Sequence, residues 1–268
     1  MIIGTRGSEL ALKQAEIVIG LLGLKEHKIK IIKTKGDVSK EPLQKIGVGV
    51  FTKELDNALI KGEADIAIHS LKDIPVEDFP EELEIFVVKR DDARDCLIGR
   101  IFDKAVIGTD SVRRQYELVN HYKNIKFKPI RGNIPTRIKK LGNNEYNGIV
   151  IAKCALDRLG LGGISRIFSV SEMVPAAGQG AIAVVKRKKD KFDFVKESPL
   201  NDCCMLERKF IQDLGGCRKP VGAYCEFKGG KFNLAGLVYK GNKRVLVNLS
   251  GDNEEIADGI REWKEKHI

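Results

Sequence analysis

A short apolar run that breaks off into a polar cluster constrains this chain more than any other stretch. Asp65-Ile66-Ala67-Ile68 is brief, apolar and preceded by Gly62, which reads as a buried strand of a parallel α/β sheet. His69-Ser70-Leu71-Lys72-Asp73-Ile74-Pro75 follows at once, and Pro75, with no amide donor, forbids an immediate helix. Lys72 and Asp73 are therefore expected just past a strand end. In open α/β sheets ligands bind outside the carboxyl ends of strands, and a carboxylate there can stabilise a cation or move a proton. The same pair also fits a solvated turn, because charged loop residues are common.

The chain around this run repeats a strand-then-helix grammar. Ile2-Ile3 opens a strand, and a helix is expected over Glu9 to Leu22 with Ser8 as its N-cap. Arg6 and Ser8 thus lie at a helix N-terminus, which suits anions. Ile29 to Ile32 reads as a strand, and Thr34 to Gly49 as a long loop without a clear period. Phe51, Leu55, Ala58 and Leu59 mark an amphipathic helix that ends at Gly62. Leu83 to Val88 and Cys96 to Ile98 are extended, and βα units then follow in a second domain. Val106 to Gly108 leads to a helix over Val112 to Tyr122 with Arg113 and Arg114 in its first turn. Ile125 to Ile130 leads through Arg131-Gly132-Asn133 to a helix opened by Pro135, Thr136 and Arg137. Tyr146 to Ala152 leads to a helix bearing Arg158.

Arginine near a helix N-terminus opposes the helix dipole, so Arg113, Arg114 and Arg137 are unfavourable there unless anions meet them. Together with Arg6 and Arg131 they point to a crevice for several carboxylates or phosphates, which guanidinium forks bind bidentately. Neither G-x-x-x-x-G-K-[ST] nor G-x-G-x-x-G is present, which disfavours a nucleotide. Val174 to Val184 reads as a loop and a buried strand that return to the first domain. Two such lobes with a crossing chain make a clamp with its ligand in the hinge crevice.

Ser198-Pro199 opens a helix with Leu200, Cys203, Leu206, Phe210 and Leu214 along one side, ended by Gly215-Gly216-Cys217. Strands near Val221 to Glu226, Lys231 to Val238 and Arg244 to Leu249 follow, with hairpin turns at Gly229-Gly230 and Gly241-Asn242, then a helix from Asn253. Cys217 falls on a glycine-rich loop where a thiol is accessible, and Cys225 falls in a core strand. Cysteines 203 and 204 face different sides of a helix, and the six cysteines have no metal-ligand spacing, so no metal is expected.

The 268 residues are enough for two or three domains. No apolar run approaches the roughly 20 residues that span a bilayer, and Met1 to Arg6 lacks signal-peptide character, so a cytoplasmic protein is expected. The net charge of +10 is spread along the chain with few aromatics between, which fits a polyanionic small molecule as well as nucleic acid.

Thr5-Arg6-Gly7-Ser8, Gly36-Asp37, His69-Ser70-Leu71-Lys72-Asp73-Ile74-Pro75, Gly108-Thr109-Asp110-Ser111-Val112-Arg113-Arg114-Gln115, Arg131-Gly132-Asn133, Gly178-Gln179-Gly180 and Gly215-Gly216-Cys217 closely resemble porphobilinogen deaminase, or hydroxymethylbilane synthase. The resemblance spans essentially the whole chain. It implies two periplasmic-binding-protein-like α/β domains forming a clamp (1–89 with 179–197, and 90–178) plus a small C-terminal α+β domain (198–268).

It further implies a dipyrromethane cofactor held by a thioether to Cys217, onto which four porphobilinogen molecules condense with loss of ammonia before hydrolysis frees hydroxymethylbilane for tetrapyrrole (porphyrin, haem) biosynthesis. Asp73 is then the catalytic carboxylate, stabilising protonated pyrrole and azafulvene species, with Lys72 and Arg6 beside it. Cys217, Lys72, Asp73, Ser70, Thr109, Ser111, Arg113, Arg114 and Arg131 match cofactor positions. Arg6, Ser8, Gln14, Lys45, Phe51, Arg137, Arg158 and Gln179 match substrate positions. Gly47-Val48-Gly49 is one residue shorter than the family's usual Gly-Gly-Lys-Gly and puts Val48 in place of a lysine. Asp110 replaces a common serine. The implied protein is a monomer with a small-molecule substrate and neither nucleic acid nor membrane as partner.

Two other classes compete. An anion-binding clamp without chemistry explains the lobes and arginines but gives Gly216-Cys217 and Asp73 no role. An RNA-binding protein is favoured by charge alone, and strong salt dependence of RNA affinity would mark it.

Overall fold

The computed structural model describes residues 1–38, 47, 49–191, 198–214 and 219–267. In chain order come β1 (Ile2–Thr5), α1 (Glu9–Leu22), β2 (Lys28–Ile31), α2 (Lys35–Val38), α3 (Lys53–Ile60), β3 (Ile66–Ser70), a 3-10 turn (Leu71–Asp73) and β4 (Leu83–Arg90). Then follow β5 (Asp95–Gly99), β6 (Val106–Gly108), α4 (Val112–His121), β7 (Lys126–Lys128), α5 (Ile134–Gly142), β8 (Gly148–Ala152), α6 (Lys153–Arg158) and β9 (Ile164–Ile167). The chain closes with β10 (Ala181–Arg187), α7 (Pro199–Asp213), β11 (Gly222–Lys228), β12 (Lys231–Lys240), β13 (Lys243–Gly251) and α8 (Asn253–His267).

Two five-stranded sheets share one plan. The first runs β2-β1-β3-β10-β4 and the second β7-β6-β8-β5-β9. In each, four strands run the same way and one, the fourth in that order, is reversed between two neighbours. β3 is therefore parallel to β1 but antiparallel to β10, where the sequence suggested a purely parallel setting. The strand β10, entered from the second sheet, is the central link back to the first. A third, antiparallel sheet β11-β12-β13 carries α7 and α8.

Alternation along the strands sorts side chains onto two faces. Ile66, Ile68, Ile182 and Val184 pack with Ile3 and with Ala15 and Val18 of α1. Ala67, Ala183 and Val185 face the other way, with Leu55 and Leu59 of α3 and Leu71. Helix α7 serves two cores at once: Cys204 joins this first-sheet cluster, while Cys203 joins Leu206, Phe210 and Cys225 in the C-terminal core. Adjacent positions on a helix point about 100° apart, so the expectation for this pair holds. Phe210 is fully buried, and Gly236 of β12 makes room for its ring, since a Cβ there would lie 2.3 Å from it.

The helix starts follow their caps: Ser8 accepts from the Ala11 amide at 3.3 Å and Ser198 from the Asn201 amide at 3.4 Å. Three local expectations change. A 3-10 turn fits between β3 and Pro75, because three residues complete one turn before the proline is reached. The stretch read as a loop from Thr34 contains α2, held where the Asp37 carboxylate accepts from the Thr34 amide and hydroxyl. Strand β9 was not expected. Lys45, Val48 and Gly215-Gly216-Cys217 lie outside the described residues.

Candidate active site at the crossing between the sheets

Strand β3 delivers Ser70, Lys72 and Asp73 together. Ser70 accepts from Gln14 Nε2 at 2.8 Å, and the Ile74 amide closes the 3-10 turn on the Leu71 carbonyl at 3.1 Å. Gly178, at φ 71°, packs straight onto this turn, since a Cβ would sit 2.7 Å from the Leu71 side chain. Lys72 Nζ donates to Gln179 Oε1 at 3.3 Å. Burial and the Arg114 charge hold the Lys72 ammonium below its ordinary value, against the opposing pull of Asp73. Asp73 is half-buried, and its carboxylate acts electrostatically on both Lys72 and Arg137.

Arg113 and Arg114 open α4 and are both buried, but the anion that meets them is internal. Asp95, at the head of β5 and fully buried, takes Arg113 Nη2 at 2.8 Å, and Arg114 Nη2 at 2.7 Å and Nε at 3.1 Å. Arg113 also donates to the Val174 carbonyl and Arg114 to the Val150 carbonyl. Burial raises the Asp95 carboxyl, but the two guanidinium charges and their hydrogen bonds overcome it and hold it far below the usual carboxylate range. The helix-dipole argument thus finds an internal anion in Asp95, which partners both guanidiniums. Gln179, fully buried, ties this cluster to Lys72: its Nε2 donates to Asp95 Oδ1 at 2.9 Å and to the Ala93 carbonyl at 2.7 Å.

A second group faces Asp73 from the other lobe. Burial, Arg114 and Arg131 lower the Arg137 guanidinium, while Asp110 and Asp73 act in the opposite sense. Arg137 Nε donates to the Gly132 carbonyl at 2.8 Å. The Asp110 carboxyl is raised by burial, against Arg137 and Arg131, and its Oδ2 is buried without a hydrogen bond. Thr109 accepts from the Ser111 amide at 3.2 Å, and Ser111 caps α4 on the Arg114 amide.

Other expected site residues already have partners. Arg158 is buried, with Asp91 at 2.7 Å and the Gly180 carbonyl at 2.5 Å. Arg6 pairs with Asp37 and lies over the Phe51 ring, 4.2 Å from its centre. Ser8 is the cap of α1.

A family model described as "Porphobilinogen deaminase, dipyromethane cofactor binding domain" matches residues 1–193, and "Porphobilinogen deaminase, C-terminal domain" matches 201–260. The chain belongs to the porphobilinogen deaminase family. Porphobilinogen deaminase of Helicobacter acinonychis (strain Sheeba) is 39% identical over 291 residues, covering 100% of this chain and 94% of that protein. The Ruminiclostridium josui porphobilinogen deaminase is 42% identical over 250 residues, covering 88% of this chain and 85% of that protein. Among solved structures, the periplasmic VFT2 domain of Bordetella pertussis BvgS aligns with TM-score 0.38 at 14% identity, over 66% of this chain and 72% of that one. No helix among the described residues is long and apolar enough to cross a membrane.

As a porphobilinogen deaminase family member the chain is a transferase with a dipyrromethane-binding domain, and the charge pattern fits that group. Beyond burial, the Arg114 charge lowers the Lys72 ammonium, and Arg114 and Arg131 lower the Arg137 guanidinium, which marks a local excess of positive charge that acidic pyrrole substituents would offset. Two fully buried acids of this region escaped the sequence reading: Asp95 and Glu207. The signal for the two acids was an acidic residue set in an apolar stripe, Asp95 before Cys96-Leu97-Ile98 and Glu207 between Leu206 and Phe210.

Proposed function

We propose that this protein condenses four porphobilinogen molecules head to tail on a dipyrromethane joined by a thioether to Cys217, then releases hydroxymethylbilane by hydrolysis. Domains at 1–89 with 179–197, 90–178 and 198–268 would divide the work, in a cytoplasmic monomer. The observation that carries the reading is the place of Asp73. It ends the 3-10 turn that follows β3, with Lys72 beside it and the Arg137 charge acting on it from the second lobe, and among the described residues nothing donates a hydrogen bond to its carboxylate.

The bound dipyrromethane supplies the free pyrrole carbon to which the first substrate is joined. Lys72 and Arg137, with Arg131 and Arg114 behind them, hold acetate and propionate groups by charge-assisted hydrogen bonds. Loss of ammonia leaves positive charge on the incoming substrate, and the Asp73 carboxylate stabilises it electrostatically. The same carboxylate would accept the proton shed as the new carbon–carbon bond forms. Ser70, Thr109, Ser111, Gln14 and Gln179 orient these groups, and Arg6, Ser8, Lys45, Phe51 and Arg158 complete the substrate side.

The test is single-turnover consumption of porphobilinogen by cofactor-loaded protein. Wild type should consume it and release ammonia, and Asp73→Asn, which keeps shape but not charge, should still bind it with turnover severely reduced. Near-normal condensation by Asp73→Asn returns Lys72-Asp73 to a structural turn.

A further inference from the structure

We propose that Arg208, on helix α7 of the C-terminal domain, is a positioning residue for Asp73. Its guanidinium donates from Nη1 to the Ile74 carbonyl and from Nη2 to the Pro75 carbonyl, both at 2.8 Å. Those two carbonyls follow Asp73 directly. Pro75 has no amide, so the chain beyond the 3-10 turn cannot be held from that donor. A planar fork on two consecutive carbonyls fixes the orientation of both peptide planes, which a single ammonium point charge does not.

The neighbouring residue reaches the same turn through Gly178. Glu207 accepts from the Gly178 amide at 2.7 Å and from Arg90 Nη1 at 2.6 Å, while Arg90 Nε donates to the Gln179 carbonyl at 3.2 Å. Gly178 lies against Leu71, and Gln179 receives Lys72. Adjacent residues of α7 thus hold the Leu71–Pro75 segment at two points, Glu207 through the turn at Gly178 and Arg208 through the carbonyls. The C-terminal domain thereby sets where the Asp73 carboxylate stands relative to Lys72 and Arg137. Misplacing a reacting group by about 1 Å costs on the order of a hundredfold in rate.

This inference rests on Asp73 as the reaction carboxylate, and four cofactor-loaded proteins separate the two claims: Arg208→Ala, Arg208→Lys, Asp73→Asn and the Arg208→Ala/Asp73→Asn double variant. With cofactor load matched by intact mass, Arg208→Ala should lose about ten- to hundredfold in kcat with KM little changed. Millimolar ethylguanidinium should restore part of that loss in Arg208→Ala and none in Asp73→Asn. The double variant should be no slower than Asp73→Asn alone, because the two act as one unit.

Should Arg208→Ala fail to fold, Arg208→Lys carries the test, and a reduced kcat at wild-type thermal stability supports the role. Full kcat in either Arg208 variant beside an inactive Asp73→Asn, or losses that add in the double variant, overturns the positioning role alone. Full turnover by Asp73→Asn overturns the reading on which it rests.

Discussion

Lys72 Nζ meets Gln179 Oε1 at 3.3 Å, so the lysine of the turn after β3 is read by a side chain in the turn that leads into β10. The amide cannot turn over. Its Nε2 is committed to the Ala93 carbonyl and Asp95 Oδ1, which leaves Oε1 for Lys72 and, at 3.5 Å, Arg114 Nη2. Gln179→Glu sets an acceptor against a carbonyl and a carboxylate in a fully buried site. It should lower unfolding free energy by about 1–3 kcal/mol, read from urea denaturation, and an unchanged midpoint would contradict this orientation.

Asp95 is the charge on which the arginine pair depends, and Asp95→Asn leaves two buried guanidiniums short of an anion. A loss of about 3–5 kcal/mol is expected. The sign with pH follows from the depressed folded value: the contribution is complete above the ordinary carboxylate pKa of about 4 and fades as pH falls toward the folded one. Stability curves should therefore converge in acid. A gap between wild type and Asp95→Asn that stayed constant from pH 6 down to about 2 would sink the linkage.

What the sequence revealed here is what is local. Ser8 and Ser198 announce their helices because a cap needs only the next three residues, and the βα alternation places each arginine at a junction. Asp95 and Arg113 stand 18 residues apart, Asp91 and Arg158 67 apart, and nothing in either stretch names its partner. The reversed strand β5 carries Asp95 to Arg113, and the link from β4 to β5 carries Asp91 to Arg158, so these guanidiniums have internal anions that neither stretch announces. Strand β9 has no clean alternation, Ile164-Ser165-Arg166-Ile167, because it lies on an edge and pairs through an irregular register with β5. The family resemblance rested on motifs spread along the chain, and the family it named is the one to which the chain belongs.

The attachment claim for Cys217 is checked by mass. Intact wild-type protein should carry an adduct of two pyrrole units and colour with a pyrrole-reactive aldehyde, and Cys217→Ser should lose both. Active wild-type protein with the bare chain mass excludes a covalent primer.

Glu207 makes the last and most demanding prediction, since its carboxylate serves three elements at once. It binds Arg90 through both oxygens, at 2.6 and 3.3 Å, and accepts from the amides of Gly178 and Cys225, each at 2.7 Å. Burial pushes the Glu207 carboxyl up, but the nearby guanidinium and the two amides oppose that, and the Glu207 charge in turn holds Arg90 protonated. Glu207→Gln keeps the size and one acceptor but leaves Arg90 buried without a counter-charge and turns an NH2 group toward a neighbouring donor. The cost should be about 3–5 kcal/mol, with Glu207→Gln/Arg90→Met recovering part of it, because removing both charges removes the unpaired one. Chemical denaturation of the four proteins of that cycle measures the coupling. Losses that simply add, with no recovery in the double variant, would show that Arg90 and Glu207 do not depend on each other.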